Sequence, residues 1–154
     1  MEEQIVALLL KHNLTLSSYE SITGGLFANT ITNIPNASKI FPGGLITYSN
    51  YVKSKNGKVS KQIIQKYGVV SYEVAAAMAD KCQKQFKTDL AVSFTGNAGP
   101  TALDNLPIGL VFIGVKYHST LIVEKLLLDP HLDRITIKKL AVEKALTILL
   151  EIIK

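Results

Sequence analysis

Apolar residues recur at helical spacing in residues 2–12, at Ile5, Val6, Leu8 and Leu9, and Asn13 follows as a stop. This pattern predicts a surface helix with one buried face. A short strand is expected across Leu14 to Tyr19. Thr23-Gly24-Gly25 then opens a second helical pattern that carries Leu26, Phe27, Ile31 and Ile34 up to Pro35. Gly43-Gly44 precede a β-prone run, Leu45 to Tyr48, and a lysine-rich connection leads to helices around Ser60 to Tyr67 and Ser71 to Phe86. Ser71 stands where an N-terminal cap belongs, with Glu73 in the first turn. Asp89 to Thr95 reads as a buried strand that ends in the turn Gly96-Asn97-Ala98-Gly99-Pro100. Two strands, Ile108 to Val115 and Leu121 to Leu128, are close enough to form an antiparallel hairpin around Tyr117-His118-Ser119. From Asp133 onward, Ile137, Leu140, Ala141, Ala145, Leu146, Leu149 and Ile153 describe a long amphipathic helix.

Helices and strands interleave throughout, with no internal repeat, low-complexity tract or linker. That order predicts one α/β domain over residues 1–154, a three-layer α/β/α sandwich around a mixed sheet. The 154 residues suit a single core. The only cysteine, Cys82, excludes an internal disulfide and a Cys-rich metal site and suits a reducing cytoplasm. The start, Met1-Glu2-Glu3-Gln4, is acidic where a secretory leader would be basic, and no apolar run is long enough for a membrane span. The expectation is a cytoplasmic protein with no membrane partner.

The net charge of +5 suits an anionic ligand or partner. A nucleic-acid surface would need clustered arginine and interleaved aromatics, and the chain has a single arginine, Arg134. No nucleic-acid partner is expected. His12, His118 and His131 show no metal-ligand spacing, so no metal or other cofactor is expected. The turn at 96–100 lacks the Gly-Lys-Ser/Thr ending of a phosphate loop, which argues against a nucleoside triphosphatase.

Three polar clusters fall at predicted strand ends or turns. In the first, Glu20-Ser21-Ile22-Thr23-Gly24-Gly25, a hydroxyl precedes a helix start, whose unpaired N–H groups and dipole stabilise a neighbouring anion. The same pattern is read equally as Ser21 or Thr23 capping that helix. The second runs from Gly43-Gly44 through Tyr48-Ser49-Asn50 to Lys53. A lysine in a partly desolvated place can act as the base for a serine, whereas the company of Lys55, Lys58 and Lys61 suggests a solvated basic face. Tyr48 is read either as a half-buried strand residue or as a proton relay. The third is Thr95-Gly96-Asn97-Ala98-Gly99-Pro100, whose backbone N–H groups could face a ligand.

Taken in order, Glu20-Ser21-x-Thr23-Gly24-Gly25, Gly44-x3-Tyr48-Ser49-Asn50-x2-Lys53, Thr95-Gly96-x-Ala98-Gly99-Pro100 and Pro107-x-Gly109 resemble the CinA C-terminal domain family. The resemblance runs from about Leu14 to Leu146, in the stand-alone form without the larger N-terminal domain that some CinA proteins carry. Enzymatic members of that family are nicotinamide mononucleotide deamidases. The resemblance therefore implies an α/β/α amidohydrolase that makes nicotinic acid mononucleotide and ammonia from this pyridine mononucleotide, working as a homo-oligomer. It implies Ser21 as nucleophile, Lys53 as its base, Tyr48 as the residue that orients or relays the proton, and Thr95 as part of the pocket wall near the amide.

By the same resemblance, Thr23, Gly24, Gly25, Gly44, Asn50, Gly96, Ala98 and Gly99 surround the substrate. Arg134 and Lys138 stand where similar proteins show Arg-x3-Arg, one helical turn apart, and would hold the substrate phosphate. The chain differs from the family pattern at Ile22, commonly Cys, at Lys138, and in Thr101 to Leu106, a shorter and glycine-free loop expected to alter the pocket or its closure. A catalytically inactive relative that binds a nucleotide or a protein is the second reading.

Overall fold

Five strands form in the computed structural model, which describes every residue except Asp104. They are β1 (Leu16–Glu20), β2 (Gly43–Ile46), β3 (Leu90–Gly96), β4 (Leu110–Tyr117) and β5 (Thr120–Leu127), in the spatial order β2-β1-β3-β4-β5. β1 runs parallel to β2 and β3, while β3–β4 and β4–β5 are antiparallel. The sheet is mixed, as the interleaved pattern implied.

Helices α1 (Glu2–His12), α2 (Leu26–Thr32) and α6 (Arg134–Ile152) cover one face and share an aliphatic core with Leu90, Val92 and Phe94 of β3. On the other face lie α4 (Lys61–Tyr67) and α5 (Tyr72–Phe86), preceded by the short α3 (Asn50–Lys55). That face is built from small residues. Ser93 donates to Ala75 O of α5 over 2.7 Å, and a Cβ on Gly114 would stand 2.6 Å from the same carbonyl. Small side chains let α5 settle directly on the strands, completing a three-layer α/β/α sandwich.

Three local expectations need correction. α2 begins at Leu26, not Thr23, because Gly24 (φ +57°) and Gly25 (φ +101°) adopt left-handed backbone that a helix cannot contain; it ends at Thr32, before Ile34, and a short 3-10 turn follows at Ala37–Lys39. β2 ends at Ile46, so Tyr48 has left the sheet. The lysine-rich connection contains α3, capped by Ser49, whose Oγ accepts from Val52 N–H over 3.1 Å. Six residues are too few for periodicity to announce a helix. Elsewhere β3, β4 and β5 lie within two residues of the expected limits, and Ser71 caps α5 by accepting from Val74 N–H. The apolar residues of 140–153 are buried or half-buried.

The connection from β1 to β2 passes through α2 on one face, and that from β2 to β3 passes through α5 on the other. Neighbouring strands whose connections leave in opposite directions open a crevice beyond their carboxyl ends. Ser21 follows β1 and the Gly96 turn ends β3, so both lie at that crevice.

Candidate active site

β1 closes on Glu20, a carboxylate only 1% exposed. A buried carboxylate requires donors, and it finds them at the start of α2: Oε1 accepts from the N–H groups of Gly25 (3.2 Å) and Phe27 (2.9 Å), and Oε2 from Ala28 N–H (3.0 Å). Ser18 Oγ also donates to Oε2, at 3.3 Å. Glu20 therefore caps α2, in place of Ser21 or Thr23, and takes up N–H groups of the helix start that could otherwise face a bound anion. Ser21 is left free of capping duty. Its N–H extends the β1–β3 ladder to Phe94 O (3.0 Å), and its carbonyl accepts from Gly24 N–H (3.1 Å), turning the chain around the hydroxyl.

Lys53 meets that hydroxyl from α3. Its Nζ donates to Ser21 Oγ at 2.9 Å and to Thr47 O at 2.7 Å. The residue is 1% exposed, and among the described residues no carboxylate pairs with it. Desolvation disfavours the charged ammonium and lowers its pKa to about 8. The basic cluster thus divides: Lys55, Lys58 and Lys61 face solvent, while Lys53 turns inward. Two further hydroxyls near this pair, Thr23 Oγ1 and Thr47 Oγ1, are buried with no hydrogen-bond partner among the described residues.

Above Ser21 lies a cavity of about 290 Å³, walled by Ile22, the Gly96–Gly99 turn, Tyr48 and Arg134. Arg134, the first residue of α6, reaches across its mouth. Nη2 donates to Tyr48 Oη at 2.7 Å and Nη1 donates to Gly99 O. Asp133 fixes the start of α6 by accepting from Thr136 N–H at 2.7 Å. One turn along, Lys138 Nζ lies 3.5 Å from where a Cβ on Gly24 would stand, beside the turn that follows Ser21.

A serine paired with a buried lysine at the crevice, under an arginine on the last helix, joins residues from two of the polar clusters with one from far along the chain. The family model of the CinA C-terminal domain matches residues 1–153. The chain belongs to the CinA C-terminal domain family. It is 43% identical over 150 residues to a protein of Caldicellulosiruptor saccharolyticus named as competence-damage inducible, covering 97% of this chain and 36% of that protein. A Listeria monocytogenes protein of the same name is 46% identical over 122 residues, 78% of this chain and 30% of its own length. The chain thus spans about a third of the length of the curated relatives it matches. Among solved structures, the competence/damage inducible protein CihA of Agrobacterium tumefaciens superposes with a TM-score of 0.93 at 28% identity, covering 97% of this chain and 92% of that one. A CinA superfamily protein of Escherichia coli gives a TM-score of 0.91 at 29% identity, covering 97% and 89%.

Several residues expected around the substrate do other work in this CinA domain. Thr95 Oγ1 donates to Val69 O at 2.7 Å and is buried away from the cavity, so it joins the α5-side packing. A Cβ on Gly44 would lie 2.4 Å from Ser18 O, so that glycine permits β2 to approach β1. Asn50 is exposed in a separate groove beyond Tyr48, and Thr23 is fully buried. Gly96 fits under Ile22, whose Cδ1 would stand 3.0 Å from a Cβ there, and lines the cavity together with Ala98 and Gly99.

The sequence reading passed over two residues. Glu20 is one; a lone acid between an expected strand and a glycine turn is its signal. Asn97 is the other. Its Nδ2 donates to the carbonyls of Leu103 (3.4 Å), Leu106 (3.3 Å) and Pro107 (3.4 Å), and its Oδ1 accepts from Leu103 N–H (3.3 Å). It binds the shortened loop into a wall, and Thr101 and Leu103 from that loop line the cavity. Asp104, within the same loop, lies outside the described residues.

Proposed function

We propose that the chain is an amidohydrolase converting nicotinamide mononucleotide to nicotinic acid mononucleotide and ammonia, with Ser21 as nucleophile and Lys53 as general base. The observation that carries this reading is the 2.9 Å contact between Lys53 Nζ and Ser21 Oγ in a place that desolvates the lysine. A pKa of about 8 leaves a usable neutral fraction near neutral pH.

Neutral Lys53 takes the Ser21 proton as Oγ attacks the carboxamide carbon, and the C–N bond then breaks with Lys53 returning that proton to the departing ammonia. Water, deprotonated by the same amine, cleaves the resulting ester and restores Ser21. Oxyanion donors come from the Gly96 side, since Glu20 takes up those of α2. Asn97 N–H bonds to Leu110 O, and by the alternation of an antiparallel ladder the Gly96 N–H points instead toward β1, beyond its last residue. Arg134 and Lys138 hold the phosphate.

Ammonia release from nicotinamide mononucleotide by the purified chain, with Ser21→Ala alongside, tests the reading. Release that the variant lacks, by a factor of about 10⁴ or more, is the expected result. Equal release by both moves the nucleophile elsewhere. No release by either, with the fold intact by circular dichroism, favours the binding-module reading.

A further inference from the structure

Resting on the deamidase reading, we propose that Tyr48 is a specificity residue for the phosphate of the substrate, acting by positioning Arg134, and is no part of the proton path. Tyr48 is 60% exposed, and its hydroxyl has one partner among the described residues, Arg134 Nη2 at 2.7 Å. Lys53 has its two partners elsewhere, at Ser21 Oγ and Thr47 O, so the dyad is complete without the phenol.

Arg134 depends on such help. It is an exposed side chain at the first residue of a helix, where a free guanidinium samples many rotamers and loses them on binding. Tyr48 Oη and Gly99 O hold it from two sides of the cavity mouth. A guanidinium has five N–H donors; two are used in these contacts, and three remain for an anion. Lys138, one helical turn further along α6, stands beside Gly24 in the turn that follows Ser21. The rim is therefore prepared for a phosphomonoester before the amide arrives at Ser21, and Tyr48 adds to affinity rather than to chemistry.

The test is Tyr48→Phe, which removes the acceptor and keeps the ring. For nicotinamide mononucleotide, KM should rise about tenfold, the scale of one charged hydrogen bond, with kcat within about twofold and its pH dependence unchanged. For nicotinamide riboside, which lacks the phosphate, parent and variant should share the same kcat/KM. In an Arg134→Ala background the tyrosine change should have no further effect on KM. A fall in kcat of both substrates, or a displaced pH profile, would overturn the inference in favour of proton relay. Binding of inorganic phosphate, measured by calorimetry on parent and variant, reads the same claim without turnover. Binding weakened about tenfold supports Tyr48 even if the chain releases no ammonia, and equal binding refutes it.

Discussion

The two ends of β1 bury the same kinds of small polar side chain and treat them in opposite ways. At the amino end the network is closed: Thr15 donates through N–H and Oγ1 to Asp89 Oδ2 (2.8 Å each), Ser17 Oγ meets Thr88 Oγ1 at 2.7 Å, and Cys82 Sγ donates to Ser17 Oγ at 3.2 Å. At the carboxyl end Glu20 is saturated by its donors, and the network beyond it is open. Among the described residues Lys53 lies buried without a counter-charge and the Thr23 and Thr47 hydroxyls have no hydrogen-bond partner, while Ser21 faces a cavity. Saturated polar networks fix a strand in place, whereas groups left short of partners retain reactivity. The Ser21–Lys53 pair stands where the polar interior of the domain is incomplete among the described residues.

Substitutions that exchange these characters sharpen the contrast. Lys53→Met should reduce ammonia release by about 10³ or more, because the nucleophile loses its base. It should also stabilise the fold by about 1–2 kcal/mol near pH 7 in urea titrations, since a desolvated ammonium gives way to an apolar chain of similar length. The sign follows from linkage. The folded-state pKa of about 8 lies below the ordinary 10.5, so the unfolded chain binds the extra proton between those values. The stability contributed by Lys53 is thus complete above pH 10.5 and lost as pH falls through about 8, and Lys53→Met should abolish that slope.

Glu20→Gln should come next, destabilising the domain by about 2 kcal/mol, because one amide oxygen cannot replace two carboxylate oxygens that accept three N–H groups. Release should fall with it as the Ser21 turn loosens. The smallest effect belongs to the closed end. Ser17→Ala should lower stability by about 1 kcal/mol and leave kcat unchanged. A comparable loss of kcat at Ser17 would show that the two ends are not separate.

Much of this arrangement is legible in the chain, because the polar clusters stand next to recognisable strands and glycine turns. Lys53 meets Ser21, and Ser21 shares a cavity with the Gly96–Gly99 turn and Arg134, all of them residues that the resemblance named. Thr95 escapes such reading for a physical reason: β3 is buried on both faces, so no alternation of polar and apolar residues tells which side a given residue takes. Arg134 and Tyr48 are 86 positions apart and meet only through the packing of α6 against the sheet. Glu20 serves a helix that begins six residues later, beyond the reach of a local capping pattern.

The pH dependence of kcat/KM for ammonia release from nicotinamide mononucleotide tests the Ser21–Lys53 dyad most directly, because it reports the ionisation of the free protein. A rate that climbs with pH and levels off above a midpoint near 8, the pKa that burial gives Lys53, is the predicted result. A profile flat from pH 6 to about 10 would show that no neutral lysine serves as the base.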